Sequence, residues 1–129
     1  MRTIKKVLRY MKRYIPLLIL SILLAAVTVA LTLYFPILTG DALDLIIDKG
    51  KGIEVNTGSL YKGFSYPHPH QTVLKMYREL GGEIITIGSD AHVPQYVGYG
   101  FEQAEALLKQ CGFRYYTLFE KGKPQQIAF

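Results

Sequence analysis

No charged residue occurs between Tyr14 and Gly40. A soluble helix is rarely apolar on every side for so long, because its outer face meets water. The twenty residues 16–35 would span about 30 Å as a helix, the thickness of a bilayer's hydrocarbon core. Pro16 suits a first helical turn, where its missing N–H costs nothing. Pro36 biases Phe35 away from helix and is expected to end the span there. Ser21, Thr28 and Thr32 are the aliphatic hydroxyls within it, and a helix can satisfy them on its own carbonyls. A secretory signal peptide is the main rival, but no convincing small-x-small cleavage site follows Pro36.

The flank of this run is basic. Arg2, Lys5, Lys6, Arg9, Lys12 and Arg13 lie in the first thirteen residues, with no acid among them. Nine bases and ten acids remain in the rest of the chain, so the net charge of +5 is local. Ile4, Val7, Leu8, Met11 and Ile15 recur at helical spacing, with Lys5, Lys6, Arg9, Lys12 and Arg13 on the other faces. That pattern predicts an amphipathic helix lying on anionic lipid. The partner implied is a lipid bilayer, with the N-terminus in the cytoplasm. No basic stripe continues into the second half, which argues against nucleic acid.

After Gly40, Asp41, Asp44 and Asp48 fall on one helical face, with Leu43, Ile46 and Ile47 opposite. A solvated helix face past the membrane is the simplest account of the three carboxylates. A compositional seam follows near Asp48–Gly52, so the expected organisation is residues 1–50 and residues 51–129. Cutting the chain after Asp48 is expected to improve solubility. The basic elbow, the long apolar helix and Pro36-Ile37-Leu38-Thr39-Gly40-Asp41-Ala42-Leu43-Asp44 together resemble the start of an ABC exporter membrane domain. The resemblance implies a membrane fragment without a catalytic role. No further span follows, and no Gly-x-x-x-x-Gly-Lys-Ser/Thr loop is present to cradle ATP phosphates.

Beyond the seam the signals are those of an α/β protein. Ile53–Asn56 reads as a short strand and residues 58–69 as a loop. Gln71–Leu80 reads as a helix with Val73, Leu74, Tyr77 and Leu80 on one side, stopped by Gly81-Gly82. Ile84–Ile87 is an apolar run suited to a buried strand. Phe101–Cys111 is a second helix and Tyr115–Phe119 a third strand, after which Gly122-Lys123-Pro124 turns into a short tail. The order β-α-β-α-β predicts a parallel sheet. Cys111, the single cysteine, excludes an internal disulfide and fits a core position beside Ala104, Leu107 and Leu108.

Asp90 and His92 lie just past the apolar strand run at 84–87, at the end where α/β folds bind ligands. In an extended segment residues i and i+2 share a side, so the pair could face one metal ion. His68 and His70 flank Pro69 in a loop before a helix, which favours loop and capping roles over zinc. Glu54 can be a catalytic carboxylate or a strand residue with a polar partner.

Several stretches together are similar to the carboxyl-terminal third of a histidinol-phosphatase of the polymerase-and-histidinol-phosphatase (PHP) superfamily. They are Glu54–Thr57, Tyr66–Pro69, Leu80–His92, Gly112–Tyr116 and Phe119–Pro124, within residues 52–124. The resemblance implies the end of a distorted βα barrel with a divalent metal cluster (zinc, manganese or iron) at its strand ends. It also implies hydrolysis of histidinol phosphate in histidine biosynthesis. The family's last metal motif falls on Asp90 and His92. Glu54 and Asn56 lie on a strand beside that site, and Lys62 is a shifted substitute for a basic residue facing phosphate. The remaining ligands should lie upstream of Ile53, where this chain has an apolar helix instead. The expectation is therefore a chimeric chain: one transmembrane helix with a preceding amphipathic helix, joined to a PHP-type barrel fragment. Metal should not be stably held, and activity should be absent in the chain alone. A gene rearrangement or a misassembled reading frame would account for the join. One span with a cytoplasmic N-terminus would also place a phosphatase of cytoplasmic type on the far side.

Overall fold

A computed structural model describes residues 12–129, so the amphipathic pattern over residues 4–11 lies outside the described residues. The chain divides into two units, residues 1–38 and residues 39–129. This division falls ten residues before the change in composition.

Helix α1 runs unbroken over Ile15–Asp48, passing through Pro36. The expectation that Pro36 ends the helix is therefore corrected. An interior proline removes one backbone bond and crowds the preceding turn, at a cost of about 3 kcal/mol. The turns after it pack on the core through Leu43, Ile46 and Ile47. Every residue from Lys12 to Leu38 is exposed. Among the described residues, α1 is the one helix long and apolar enough to cross a membrane. The two threonine hydroxyls are satisfied as expected: Thr28 Oγ1 donates to the Leu24 carbonyl at 2.9 Å and Thr32 Oγ1 to the Thr28 carbonyl at 2.8 Å.

The last turns of α1 belong to the second unit. Leu43 is only 4% exposed, and Ile46 and Ile47 pack against the same core. Asp41, Asp44 and Asp48 face solvent. The two faces are those read from spacing, but the apolar face is a core surface, so a cut after Asp48 removes a core residue. The helix stops at a left-handed glycine, Gly50 (φ 61°). Its N–H bonds to the Ile47 carbonyl, and Lys51 N–H reaches back to Ile46. This is a Schellman termination, which only a residue without Cβ adopts cheaply.

Strands β1 (Ile53–Asn56) and β2 (Ile85–Gly88) pair in parallel, with Ile53 opposite Ile85 and Asn56 opposite Gly88. Between them come the short helix α2 (Gly58–Tyr61), inside the stretch read as loop, and α3 (Gln71–Glu79). His70 caps α3, its side chain accepting from Thr72 N–H, as the sequence suggested. Leu74 and Tyr77 on α3, Ala104 and Leu108 on α4 (Phe101–Gln110), and Val55 and Ile85 on the strands form the core. Cys111 and Phe113 complete it. Burial pushes the Cys111 thiol up, which suits an inert core cysteine.

The third strand departs from expectation. Strand β3 (Tyr115–Glu120) pairs antiparallel with β4 (Lys123–Ala128), the segment read as a tail. The parallel sheet is thus limited to β1 and β2, and β3 lies against β2 as one arm of a hairpin. Pro124 is tolerated because β4 has an unpaired outer edge. The two-residue turn is Lys121-Gly122, with φ of 50° and 77°. Positive φ at both positions matches the right-handed strand twist, and asparagine adopts it more readily than lysine. Lys121→Asn should therefore raise stability by about 1 kcal/mol, read as a shifted urea midpoint with an unchanged slope.

Candidate functional site at the strand ends

The carboxyl ends of β1 and β2 converge on Gly58. A Cβ there would lie 2.9 Å from Asn56 Oδ1 and 3.2 Å from Asp90 Cβ, so the glycine lets these two side chains close in. Asn56 is tied on three sides. Its backbone N–H and C=O bond to His68 at 2.7 and 2.9 Å, and its Oδ1 accepts from Gly58 N–H at 2.9 Å. Its Nδ2 donates to Glu54 Oε1 at 3.4 Å. Glu54 in turn lies over Gly88, where a Cβ would come within 2.7 Å of its carboxylate. Gly88 is required there by close approach. Thr57, fully buried, donates to the Tyr99 carbonyl at 2.5 Å and joins the strand ends to the loop before α4.

Beyond β2 the chain does not stay extended. Asp90 takes a left-handed conformation (φ 51°), which its short polar side chain tolerates better than most. Asp90 and His92 are therefore not the extended neighbours on one side that the sequence led us to expect. Instead, the His92 ring turns back, and Nδ1 lies 2.8 Å from the Asp90 main-chain oxygen. Tyr61 Oη donates to that same oxygen at 2.8 Å. The Asp90 carboxylate is met by Lys62 Nζ at 3.8 Å, with the side chains 44% and 55% exposed. Such an exposed pair contributes less than about 1 kcal/mol. Ser89, buried, accepts from Gly98 N–H at 3.2 Å and anchors the turn from the other side.

All five residues singled out in the sequence thus lie around one strand end: Glu54 with Asn56, and Lys62, Asp90 and His92 around the turn. Sequence reasoning missed Tyr61, Gly58 and Gly88. Gly58 and Gly88 bounded apolar or strand-like runs, which is a signal for close backbone approach. Tyr61 carried none, because its partner is a backbone atom 29 residues away. His68 serves the β1 edge and His70 caps α3, so neither joins Asp90 and His92.

The donor set does not by itself fit a metal ion. No group of three or more His, Cys, Asp or Glu side chains that could hold one exists among the described residues. Three or four protein ligands per ion are the norm for zinc. An ammonium, Lys62, already faces the Asp90 carboxylate.

No protein-family model matches the chain. It is 40% identical over 73 residues to a protein named probable histidinol-phosphatase from Thermotoga maritima, a match covering 57% of this chain and 31% of that protein. It is 35% identical over 81 residues to a probable histidinol-phosphatase from Clostridium acetobutylicum, covering 63% and 31% respectively. A probable histidinol-phosphatase from Schizosaccharomyces pombe is 32% identical over 76 residues, covering 59% and 24%. The chain therefore contains a histidinol-phosphatase-like segment, and it spans between 24% and 31% of the length of these relatives.

Proposed function

We propose that residues 52–124 are the carboxyl-terminal part of a PHP-type histidinol-phosphatase domain, carried on a membrane-anchoring helix. The observation that carries this reading is the 40% identity over 73 residues to a protein of that name. The strand-end position of Asp90 and His92 supports it, because ligands in α/β folds gather at that edge. In this reading Asp90 and His92 are the chain's contribution toward a divalent metal, and Glu54, Asn56 and Lys62 border the substrate phosphate of histidinol phosphate. Lys62 is the weakest of these assignments, since its ammonium is shared with Asp90. The anchor rests on the exposed apolar stretch of α1, and the basic flank supports a cytoplasmic N-terminus.

The exporter-like stretch 36–44 has a local account, since Leu43 within it is a core residue of the α/β unit. A transport role is therefore not part of this proposal.

Two side chains cannot position a nucleophilic hydroxide and stabilise a leaving oxygen, tasks that bridged ions perform in metal-assisted phosphate hydrolysis. The purified chain, supplied with zinc or manganese, should release phosphate from histidinol phosphate no faster than buffer. Asp90→Ala should leave that background unchanged. Turnover that disappears in Asp90→Ala would overturn the reading of an incomplete site.

A further inference from the structure

We propose that Tyr61 is a positioning residue for His92, acting through the Asp90 carbonyl to hold the imidazole as its Nδ1–H tautomer with Nε2 unprotonated. The proposal rests on the reading of the Asp90–His92 turn as the ligand-facing part of the strand ends.

A carbonyl oxygen only accepts hydrogen bonds. The 2.8 Å contact between His92 Nδ1 and the Asp90 oxygen therefore requires a proton on Nδ1. In the neutral ring this leaves Nε2 with the lone pair, and the hydrogen bond on one nitrogen decides the role of the other. His92 then meets any ligand at these strand ends through Nε2. Water favours the opposite tautomer for a free histidine side chain, so the turn must hold the oxygen firmly in place.

Tyr61 does this. Its hydroxyl donates to the second lone pair of the same oxygen at 2.8 Å. Its ring cannot swing away, because it stacks on Tyr96 with centroids 4.2 Å apart and planes 6° from parallel. Tyr99 meets it edge-on at 5.9 Å. A rigid aromatic group therefore fixes the carbonyl of a residue whose own backbone is left-handed (φ 51°). Without the hydroxyl, Asp90 is free to relax toward ordinary backbone angles and carry its carbonyl away from His92.

The molecule contains its own reference. His70 Nδ1 accepts from Thr72 N–H at 3.3 Å, so His70 must be the Nε2–H tautomer. Long-range nitrogen–proton correlation spectra of the full chain in detergent micelles, labelled at histidine nitrogens and recorded near pH 8, separate the two forms. The expected result is Nδ1–H for His92 and Nε2–H for His70. In Tyr61→Phe the stack remains, His70 is unchanged, and His92 moves toward Nε2–H. In Asp90→Asn the main-chain oxygen persists and asparagine also tolerates the left-handed turn, so His92 stays Nδ1–H. A wild-type His92 in the Nε2–H form, or a Tyr61→Phe spectrum identical to wild type at His92, overturns the proposal. Loss of the tautomer in Asp90→Asn does so as well, since it would assign the effect to the carboxylate. The readout needs no turnover: an inactive chain leaves this proposal standing, and a failed tautomer leaves the phosphatase resemblance untouched.

Discussion

Leu43→Ala should lower the stability of the α/β unit by about 3 kcal/mol, the middle of the range for emptying a buried leucine site. Leu43 is 4% exposed and lies among Ile46, Ile47 and the core residues of the strands and helices. For a unit of this size the loss is a large share of the total, since small domains hold only about 5–15 kcal/mol. Burial of Leu43 also decides where the chain can be cut. Residues 39–129 expressed alone should stay in the supernatant after an alkaline wash and unfold cooperatively in urea. Residues 49–129 lack Leu43, Ile46 and Ile47 and should give a broad transition or a precipitate. A fragment 49–129 as stable as fragment 39–129 would show that the last turns of α1 contribute nothing to the core.

Tyr77→Ala should be at least as costly, about 3–5 kcal/mol by comparison with other buried aromatic truncations. The ring is 1% exposed and stacks on Phe113 with centroids 6.4 Å apart. Its hydroxyl donates to the Ile84 carbonyl at 3.0 Å. Tyr77→Phe removes that bond and a longer contact to the Lys51 carbonyl at 3.5 Å, and the Ile84 oxygen keeps the Ile53 N–H at 3.1 Å, so its cost should stay near about 1 kcal/mol. The two variants also differ in their alkaline behaviour from wild type. Burial, helped by the Glu83 charge, raises the Tyr77 pKa above its ordinary value of 10.0. The neutral form is thus favoured in the folded chain, and this contribution is fully present below pH 10. It declines as pH rises from 10 through the folded value, because the unfolded chain ionises first. Urea midpoints measured from pH 9 to 11 should fall less steeply in Tyr77→Phe than in wild type. Equal slopes would assign the alkaline loss to other groups.

Several parts of this structure were legible in the residues because their causes are local. The uncharged run, the apolar face of α3 through Leu74 and Tyr77, the His70 cap and the glycine stops follow from helical spacing and from backbone rules of single residues. The apolar run that became β2 was readable for the same reason, as was the burial of Cys111. The sequence also brought Glu54, Asn56, Lys62, Asp90 and His92 into view as a set, through their resemblance to histidinol-phosphatases.

Tertiary structure alone decided the rest. Pro36 is a helix breaker by local rules, yet α1 continues through it, with its last turns docked on the core through Leu43. The Tyr115–Glu120 segment is a strand by composition. Only its pairing with Lys123–Ala128 made it one arm of an antiparallel hairpin. Asp90 and His92 looked extended because they follow a strand. The left-handed turn at Asp90 places its main-chain oxygen between Tyr61 and His92. The physical reason is common to all three cases. Propensity and periodicity act within one segment, whereas a docking face, a strand partner or a shared acceptor joins separate segments, and its free energy exists only once the chain has closed the loop between them.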